Sequence, residues 1–279
     1  MAETETMAKL KPDPIVAKDL KDFVDNNSDF DFEMKVLAQL RSLDFECEHS
    51  GTYQDPVTYK VRQFDIRAKK WQGCYMLALA VECKNIRANH PLLLSAVPRT
   101  ITESAHDLLL VRKMIGPAYP SVEKMTGAGS AYKEGEMVGK KTDQVGRLES
   151  SKELFSDDEA TFDKLNQAVN SCKDLVRDLR RGPDHFPLLV RAILPVLVVP
   201  DGVLWQVDYD QNGVMRTSPR KVSRTTLYYG HSWEISGDNV TTLPITYKLS
   251  HIEVVTISAL PDAATTWMGS SGFFSRHQG

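Results

Sequence analysis

The segment Tyr75–Cys83 constrains the fold more than any other, because it is apolar at almost every position. An apolar run of this length is typical of a central strand that is covered on both faces. The preceding segment Val61–Ala68 alternates instead, with Phe64 and Ile66 on one face and Asp65 on the other. The two segments predict neighbouring strands of a sheet that helices pack against.

Periodicity and capping signals predict the other elements. We expect a capped amphipathic helix over Asn27–Leu43, with Glu33 beside its buried face. Ser156 and Glu159 have the spacing of a capping box and predict a helix with an apolar stripe from Phe162 onward. The remaining expectations are strands at Phe45–His49, Pro91–Val97, Leu188–Val199, Val203–Tyr209 and Tyr247–Ser258, a helix at Ile101–Met114, a long irregular loop over 115–150, and a helix end at Gly182-Pro183.

The order of these elements predicts the α/β class with a mixed β-sheet flanked by helices and additional C-terminal strands. A chain of 279 residues can form one large domain or two small ones. We expect a disordered N-terminus over residues 1–14, a single α/β domain over 15–260, and a flexible C-terminal tail over 261–279.

Composition excludes several classes of protein. Hydrophobic residues make up 42% and charged residues 25% of the chain, as in soluble globular proteins. The apolar runs fall far short of the ~20 residues that a membrane-spanning helix needs, so we expect no membrane interaction. The polar N-terminus is unlike a signal peptide, which predicts a cytoplasmic protein with reduced cysteines. The sequence has neither an HExxH nor a GxSxG motif, so nothing supports a zinc or serine hydrolase.

The net charge of −3 is too low for a protein that holds nucleic acid by charge alone. Residues 1–60 carry 13 acidic and 7 basic side chains, whereas residues 61–279 carry 24 and 27. Local patches, a metal or a partner must therefore supply any binding of nucleic acid. The basic candidates, for which a solvated surface is the alternative, are Lys140, Lys141 and Arg147 in one segment and Arg216, Arg220, Lys221 and Arg224 near Tyr228 and Tyr229 in another.

Three polar side chains are expected to meet at the end of the central strand. Glu82 and Lys84 lie two residues apart and share a face, and a hairpin around Lys69–Gly73 would bring Asp65 beside Glu82. Two carboxylates with a backbone carbonyl, such as that of Cys83, suit Mg²⁺ or Mn²⁺. A neighbouring lysine can orient the attacking water or stabilise negative charge during phosphodiester hydrolysis.

This arrangement of Asp65, a short hairpin and an apolar strand ending in Glu82-Cys83-Lys84 resembles the PD-(D/E)xK nucleases, the restriction-endonuclease-like superfamily. The leading helix with Glu33 is similar to that of archaeal Holliday-junction resolvases and Mrr-type restriction enzymes. The resemblance covers roughly residues 28–100 and implies a restriction-endonuclease-like sheet. It also implies a metal-dependent endonuclease, with Asp65, Glu82 and Glu33 as metal ligands and Lys84 as the catalytic lysine. DNA is the implied substrate, in prokaryotic restriction, repair or anti-phage defence.

Alternatives to this interpretation follow from the same residues. Gln63-Phe64 precedes Asp65 where the motif has proline, which leaves Asp55, followed by Pro56, as a substitute. Glu82 and Lys84 could be ordinary ion-paired strand ends, and an acidic residue early in a helix, such as Glu33, favours the helix dipole without any function. The alternative function is a nuclease-fold binding or scaffold subunit that is dormant or activated by a partner. In either case we expect a homodimer or a subunit of a larger complex.

Overall fold

A computed structural model of the chain describes residues 13–55, 58–112, 121–128, 131–148, 153–157, 159–179, 188–235, 245–269 and 272–274. These residues form a mixed α/β fold in which helices flank a large sheet, which confirms the predicted class. None of the described helices is both long and apolar enough to cross a membrane.

The helices and strands have the following bounds. The helices are α1 (Ala17–Asn27), α2 (Asp29–Ser42), α3 (Glu159–Leu179) and α4 (Leu260–Met268), with a short 3-10 helix at Ile257–Ala259. The strands are β1 (Glu46–His49), β2 (Thr52–Gln54), β3 (Val61–Gln63), β4 (Ile66–Gln72), β5 (Tyr75–Cys83), β6 (Leu92–Pro98), β7 (Ala105–Arg112), β8 (Ser121–Ala128), β9 (Met137–Arg147), β10 (Leu154–Ser156), β11 (Leu188–Val199), β12 (Leu204–Asp208), β13 (Arg220–Lys221), β14 (Arg224–Ile235) and β15 (Ile245–Thr256).

Thirteen of the described strands form one mixed sheet. The main path runs β1-β4-β5-β11-β15-β14-β9-β6-β12-β13, with β7 joining β11 to β8 and β10 pairing with β9. β2 and β3 form a separate hairpin. The central strands β5, β11 and β15 are parallel, so their carboxyl ends meet at one edge of the sheet.

Each face of the sheet is covered by its own hydrophobic core. Successive residues of β5 point to opposite faces, so Leu79 and Val81 pack towards α2 and α4, whereas Ala78 and Ala80 pack towards α3. This double coverage explains why β5 is apolar throughout, as its sequence predicted. Glu82 continues the α3-facing series, and the candidate site lies on that face.

The hairpin between β4 and β5 confirms the expected pairing of the two strands. They are antiparallel, with Gln72 opposite Tyr75 and a turn at Gly73-Cys74. Gly73 has a φ of 59°, a left-handed conformation that glycine adopts without strain. The pairing puts Ile66 opposite Val81.

The continuous strand predicted over Val61–Ala68 is wrong, because the chain bends between β3 and β4. The amide of Phe64 donates to the Gly51 carbonyl, and the Asp65 carbonyl accepts from Ser50, so this segment pairs with the preceding loop. Asp65 therefore lies in the bend and not within a strand.

The helix predicted over Ile101–Met114 is also wrong where the chain is described. Residues Ala105–Arg112 form β7, which pairs with β11 on one side and with β8 on the other. Leu108 and Leu109 are buried on opposite faces of the sheet. A short apolar run of this kind is compatible with either a buried helix or a buried strand, and here the neighbouring strands decide.

The irregular loop predicted over residues 115–150 is wrong for β8 and β9. The glycines of this segment suggested a loop, but Gly139 lies within β9, where strands approach closely. A Cβ at this position would come within 2.9 Å of Leu94 and 3.1 Å of the Thr226 carbonyl oxygen. Gly139 thus allows β9 to pair with β6 and β14.

Two predictions about helix ends and the C-terminus are corrected as well. Ser156 belongs to β10 and its hydroxyl donates to Asp143, so it does not cap α3.

The C-terminal segment expected to be a flexible tail instead contains α4, whose Trp267 is 1% exposed, followed by the buried Phe274. These rings pack on the α2 side of the sheet, which is why the segment is ordered. Gly182-Pro183 and residues 1–12, 270–271 and 275–279 lie outside the described residues.

Candidate active site

The bend before β4 and the carboxyl end of β5 bring two carboxylates together, as the sequence predicted. Asp65 directly precedes Ile66, whose partner is Val81, so Asp65 lies across from Glu82. Both side chains are buried, Glu82 at 1% and Asp65 at 9% exposure. Burial of two carboxylates side by side is unfavourable unless a cation or a proton compensates their charge.

Lys164 of α3 supplies that compensating charge. Its Nζ lies 2.8 Å from Asp65 Oδ2, 3.0 Å from Asp65 Oδ1 and 3.1 Å from Glu82 Oε2. Burial alone would lower the pKa of the Lys164 ammonium, but the charges of Glu82 and Asp65 raise it above its ordinary value. The ammonium thus forms ion pairs with both carboxylates at once.

A backbone hydrogen bond fixes the orientation of Asp65. The amide of Cys83 donates to Asp65 Oδ2 over 2.7 Å. This bond links the bend before β4 to the end of β5 directly, and it leaves Oδ1 directed at Lys164. The carboxylate is therefore held by the main chain and not only by its ion pair.

Arg67 anchors α3 above the two carboxylates. Its guanidinium donates from Nε to the Ser171 hydroxyl over 3.2 Å and from Nη2 to Asp174 over 2.8 Å. It also lies 4.2 Å from the ring of Phe64. Because Arg67 follows Asp65 by two residues, β4 contacts α3 at two successive points, and this positions Lys164.

Glu82 is the most perturbed acid of the site. Burial raises the pKa of its carboxyl to about 8, and the charge of Asp65 acts in the same direction, whereas Lys164 opposes both. Its Oε1 atom is buried and has no hydrogen-bond partner among the described residues. A buried acceptor without a partner is unfavourable, so this atom is available to a further ligand.

Glu33 lies beside this pair but has its own partner. Its Oε2 is 3.3 Å from Nε2 of His49. Burial raises the pKa of the Glu33 carboxyl, and the charge of Asp65 raises it further, while His49 and Lys164 lower it. Glu33 is therefore close enough for the charges of Asp65 and Lys164 to shift its pKa, which is compatible with its predicted accessory role.

The charges that act on the Lys84 ammonium differ from those expected. Its amide donates to the Val198 carbonyl over 3.0 Å, which fixes the residue at the edge of the sheet. Burial lowers the pKa of its ammonium, and the charges acting on it most strongly are those of Asp29, which raises the pKa, and of Lys164, which lowers it. Lys164, and not Lys84, is the lysine in contact with both carboxylates.

Cys83, between Glu82 and Lys84 in the chain, is a buried residue of the core. Its thiol lies in the core shared with α2 and α4, on the opposite face from Glu82. Burial raises the pKa of the thiol well above its usual range, and the charges of Asp65, Glu33 and Glu82 act in the same direction. The thiol is therefore protonated and inert. A metal-binding role for the Cys83 carbonyl stays a prediction.

The side chains present fit a magnesium-type cation with two protein carboxylates. The ammonium of Lys164 already occupies a point between Asp65 and Glu82 where positive charge is favourable, and Glu82 Oε1 offers a further oxygen. Mg²⁺ commonly takes one or two carboxylates and completes its shell with water, carbonyls and phosphate oxygens. Among the described residues no group of three or more His, Cys, Asp or Glu side chains could hold a metal, so a larger protein cage is not formed.

Asp55 is not part of this cluster. Its carboxylate accepts from Arg62 over 3.2 Å, from Asn170 over 3.0 Å and from the amide of Thr58 over 2.8 Å. These contacts tie the loop between β2 and β3 to α3. Asp65 is consequently the aspartate that faces Glu82.

The predicted basic residues mostly pair with nearby acids. Lys140 pairs with Glu103, and Lys141 lies 2.5 Å from Asp143. In the second cluster, Arg216 pairs with Asp210, Arg220 lies 2.7 Å from Asp208, and Arg224 lies 3.1 Å from the buried Glu253. The ammonium of Lys221 lies over the Trp205 ring, 5.5 Å from its centroid. Arg147 is exposed at the end of β9. The bonds of Arg224 to Glu253 stabilise the fold, while contact of the others with nucleic acid stays a prediction.

Lys164 is the site residue that the sequence did not reveal. It lies in line with Ala168 and Cys172, which are fully buried, so it projects from the face of α3 that packs on the sheet. A lysine in line with small buried residues indicates a partner of opposite charge. That spacing was the available signal.

Comparisons with protein-family models, with curated proteins and with solved structures gave no match for this chain. The functional argument therefore depends on the geometry of Asp65, Glu82, Lys84 and Lys164.

Proposed function

We propose that this protein is a divalent-metal-dependent nuclease that hydrolyses phosphodiester bonds, with DNA as the expected substrate. The observation that carries the proposal is the convergence of Asp65 and Glu82 on one ammonium. The buried Oε1 of Glu82 adds a second argument, because the described residues supply no donor to it. Mg²⁺ or Mn²⁺ is the cation that these hard oxygen ligands favour.

Asp65 and Glu82 would hold the divalent cation, and the amide of Cys83 keeps Asp65 in position. A cation held there would supply Lewis-acid chemistry to a phosphate and lower the pKa of a bound water. Lys164 places positive charge next to the carboxylates, where a phosphate would acquire negative charge in the transition state, and Lys84 is proposed as a second cation at this edge of the sheet. Glu33 provides a further carboxylate within electrostatic range.

A cleavage assay tests the proposal. Supercoiled plasmid and circular single-stranded DNA are incubated with the protein in Mg²⁺ or Mn²⁺, and in parallel with chelator. We expect cutting only with metal, and loss of cutting in Glu82→Gln and in Lys84→Ala. The matched control is Glu46→Gln, which alters an exposed glutamate on β1 and should cut like the unmodified protein. Cutting that survives Glu82→Gln would contradict the proposal.

A binding or scaffold subunit is the second candidate, and the position of Lys164 favours it. Its ammonium neutralises both carboxylates without any metal, so the cluster is also stable as a structural element. Nucleic-acid binding that persists in chelator, without cutting in any metal, would favour this candidate.

A further inference from the structure

An irregularity in β14 turns a row of aromatic side chains towards α3. The pairing of β14 with β15 shifts between Tyr228 and His231, which is the position of a β-bulge. Gly230 adopts a φ of 61° in the bulge, and a Cβ there would lie 2.6 Å from the Tyr228 ring. Glycine at this position therefore allows the bulge. Tyr229 precedes Gly230 in the chain, and His231 and Trp233 follow it.

We call Tyr229, His231 and Trp233 the aromatic row. The rings of Tyr229 and His231 are 5.6 Å apart, and those of His231 and Trp233 are 6.3 Å apart with planes inclined by only 22°. Tyr229 and Trp233 pack with one side against the α3 core, while His231 is exposed. The Tyr229 and His231 planes are inclined by 62°, so the near-parallel rings of the row are those of His231 and Trp233.

A cleft of about 500 Å³ continues the aromatic row between α3 and strands β9 and β14. Leu165, Leu227 and Ile252 contribute apolar surface to its lining. Phe162, which helical periodicity assigned to the buried stripe, also lines the cleft and is 59% exposed. Together with Tyr228 and Tyr229, this phenylalanine gives the cleft three aromatic side chains.

Lysines border the row and the cleft. Lys173 lies 5.6 Å from the Trp233 ring, and Lys140 lies 4.4 Å from the Tyr228 ring. Lys140 and Lys141 are each paired with an acid, and Glu159 also lines the cleft. The local positive charge is consequently moderate, and ring stacking must contribute most of any binding energy.

We infer that the aromatic row and the adjoining cleft bind single-stranded nucleic acid, with successive bases stacking on the rings and one base entering the cleft. Stacking on aromatic side chains tolerates any base sequence, since every base has a π-face. In a duplex the bases are already stacked on one another and their faces are not available. An aromatic row with moderate positive charge beside it therefore favours single strands over a duplex.

This inference rests on the proposed nuclease function and names its substrate class. Phe162 and Leu165 line the cleft, and Lys164, which contacts Asp65 and Glu82, lies between them in the first turns of α3. The cleft and the carboxylates thus flank the same part of one helix.

Equilibrium binding in chelator tests the inference without requiring cleavage. Fluorescence anisotropy is measured with labelled oligo-dT and oligo-U of about 12 nucleotides and with a DNA duplex of equal length. We expect the single strands to bind more tightly than the duplex and to quench Trp233 fluorescence. His231→Ala and Trp233→Ala should each weaken single-strand binding roughly 5- to 150-fold, the range that loss of one stacked base implies.

Matched variants separate stacking from folding. Tyr59→Ala removes an exposed tyrosine outside the row and should leave binding unchanged. His231→Ala alters an exposed side chain, so it reports on binding even if Trp233→Ala destabilises the fold. Single-strand affinity that His231→Ala and Trp233→Ala do not reduce, or a duplex bound as tightly as the single strand, would overturn the inference. A dimer that these variants dissociate would overturn it too, by making the row an interface between two copies of the chain.

The binding and cleavage assays fail independently. Weakened single-strand binding in the row variants, with no cutting in any metal, would remove the nuclease proposal and keep the binding surface. Metal-dependent cutting, with single-strand binding that the row variants leave unchanged, would keep the nuclease proposal and remove the binding surface.

Discussion

The ammonium of Lys164 lies 3.1 Å from a Glu82 carboxylate that is almost fully buried, and this contact joins α3 to the carboxyl end of the central strand. The same ammonium contacts both oxygens of Asp65. A divalent cation bound by these two carboxylates would take over the charge that Lys164 provides. Lys164 therefore competes with metal for the site in our account.

Lys164→Met should destabilise the protein in chelator and make it more responsive to metal. Two buried carboxylates would lose their compensating charge. The loss should fall below the ~3–5 kcal/mol typical of a fully buried pair, since one fifth of the lysine side chain is exposed and Glu82 can take up a proton. Mn²⁺ should then raise the melting temperature of Lys164→Met more than that of the unmodified protein. Lys35→Met, at an exposed pair with Asp31, is the control. Equal metal shifts in Lys164→Met and the unmodified protein would contradict the competition.

The raised pKa of Glu82 predicts a pH-dependent stability in chelator. Burial raises the pKa of its carboxyl from the ordinary value of 4.5 to about 8 in the folded protein, so the folded state binds the proton more tightly between these values. The free energy of unfolding should consequently decrease as the pH rises through this window. Urea denaturation at pH 5 to 9 measures the slope, which Glu82→Gln should flatten. An unchanged slope in Glu82→Gln would show that another group is responsible.

The affinity for metal should also depend on the protonation of Glu82, but it should increase with pH whereas the stability in chelator decreases. A cation competes with the proton on Glu82, so the affinity for Mn²⁺ should increase as the pH rises towards about 8. Titration calorimetry at pH 6 and pH 8 measures the change. A pH-independent affinity would exclude Glu82 as a ligand.

Two substitutions of Asp65 should separate catalysis from folding. Asp65→Asn keeps an acceptor for the amide of Cys83 and should fold normally while losing metal-dependent cutting. Asp65→Ala leaves that buried amide without a partner and should lose a further ~1–3 kcal/mol of stability. Chemical denaturation compares both with the unmodified protein. Normal cutting by Asp65→Asn would remove Asp65 from the site.

The C-terminal helix should be essential for folding, contrary to the expectation from sequence. A chain that ends at Ala259 loses Trp267 and Phe274, which are 1% and 0% exposed. We expect this truncation to be insoluble or to lack a cooperative melting transition in circular dichroism. The control ends after Phe274 and keeps both rings. A stable chain ending at Ala259 would contradict the packing of α4.

The parts of the site that sequence predicts are those encoded by short-range patterns. The apolar run of β5 and the spacing of Glu82 and Lys84 place one edge of the sheet, and the hairpin before β5 brings in Asp65. Lys164 is 99 residues from Asp65 along the chain, so its contact depends on how α3 packs across the sheet. The spacing of Lys164 with Ala168 and Cys172 indicates the buried face of α3, but it does not identify Asp65 and Glu82 as the partners.

The errors in predicting the fold have a common physical cause. β7 and β9 are strands because neighbouring strands form hydrogen bonds with their backbone groups. An apolar run or a glycine in the sequence does not predict such pairing. Likewise, α4 is ordered because Trp267 and Phe274 fill the core beside α2. In each case tertiary contacts override the local preference of the sequence.

The most direct test of the central claim is a crystal structure of the protein soaked with Mn²⁺, with the anomalous signal of the metal recorded. The account predicts one strong peak with carboxylate oxygens of both Asp65 and Glu82 in its coordination shell, and with the ammonium of Lys164 displaced from between them. Full-occupancy Mn²⁺ elsewhere, with Lys164 still bridging Asp65 and Glu82, would contradict it.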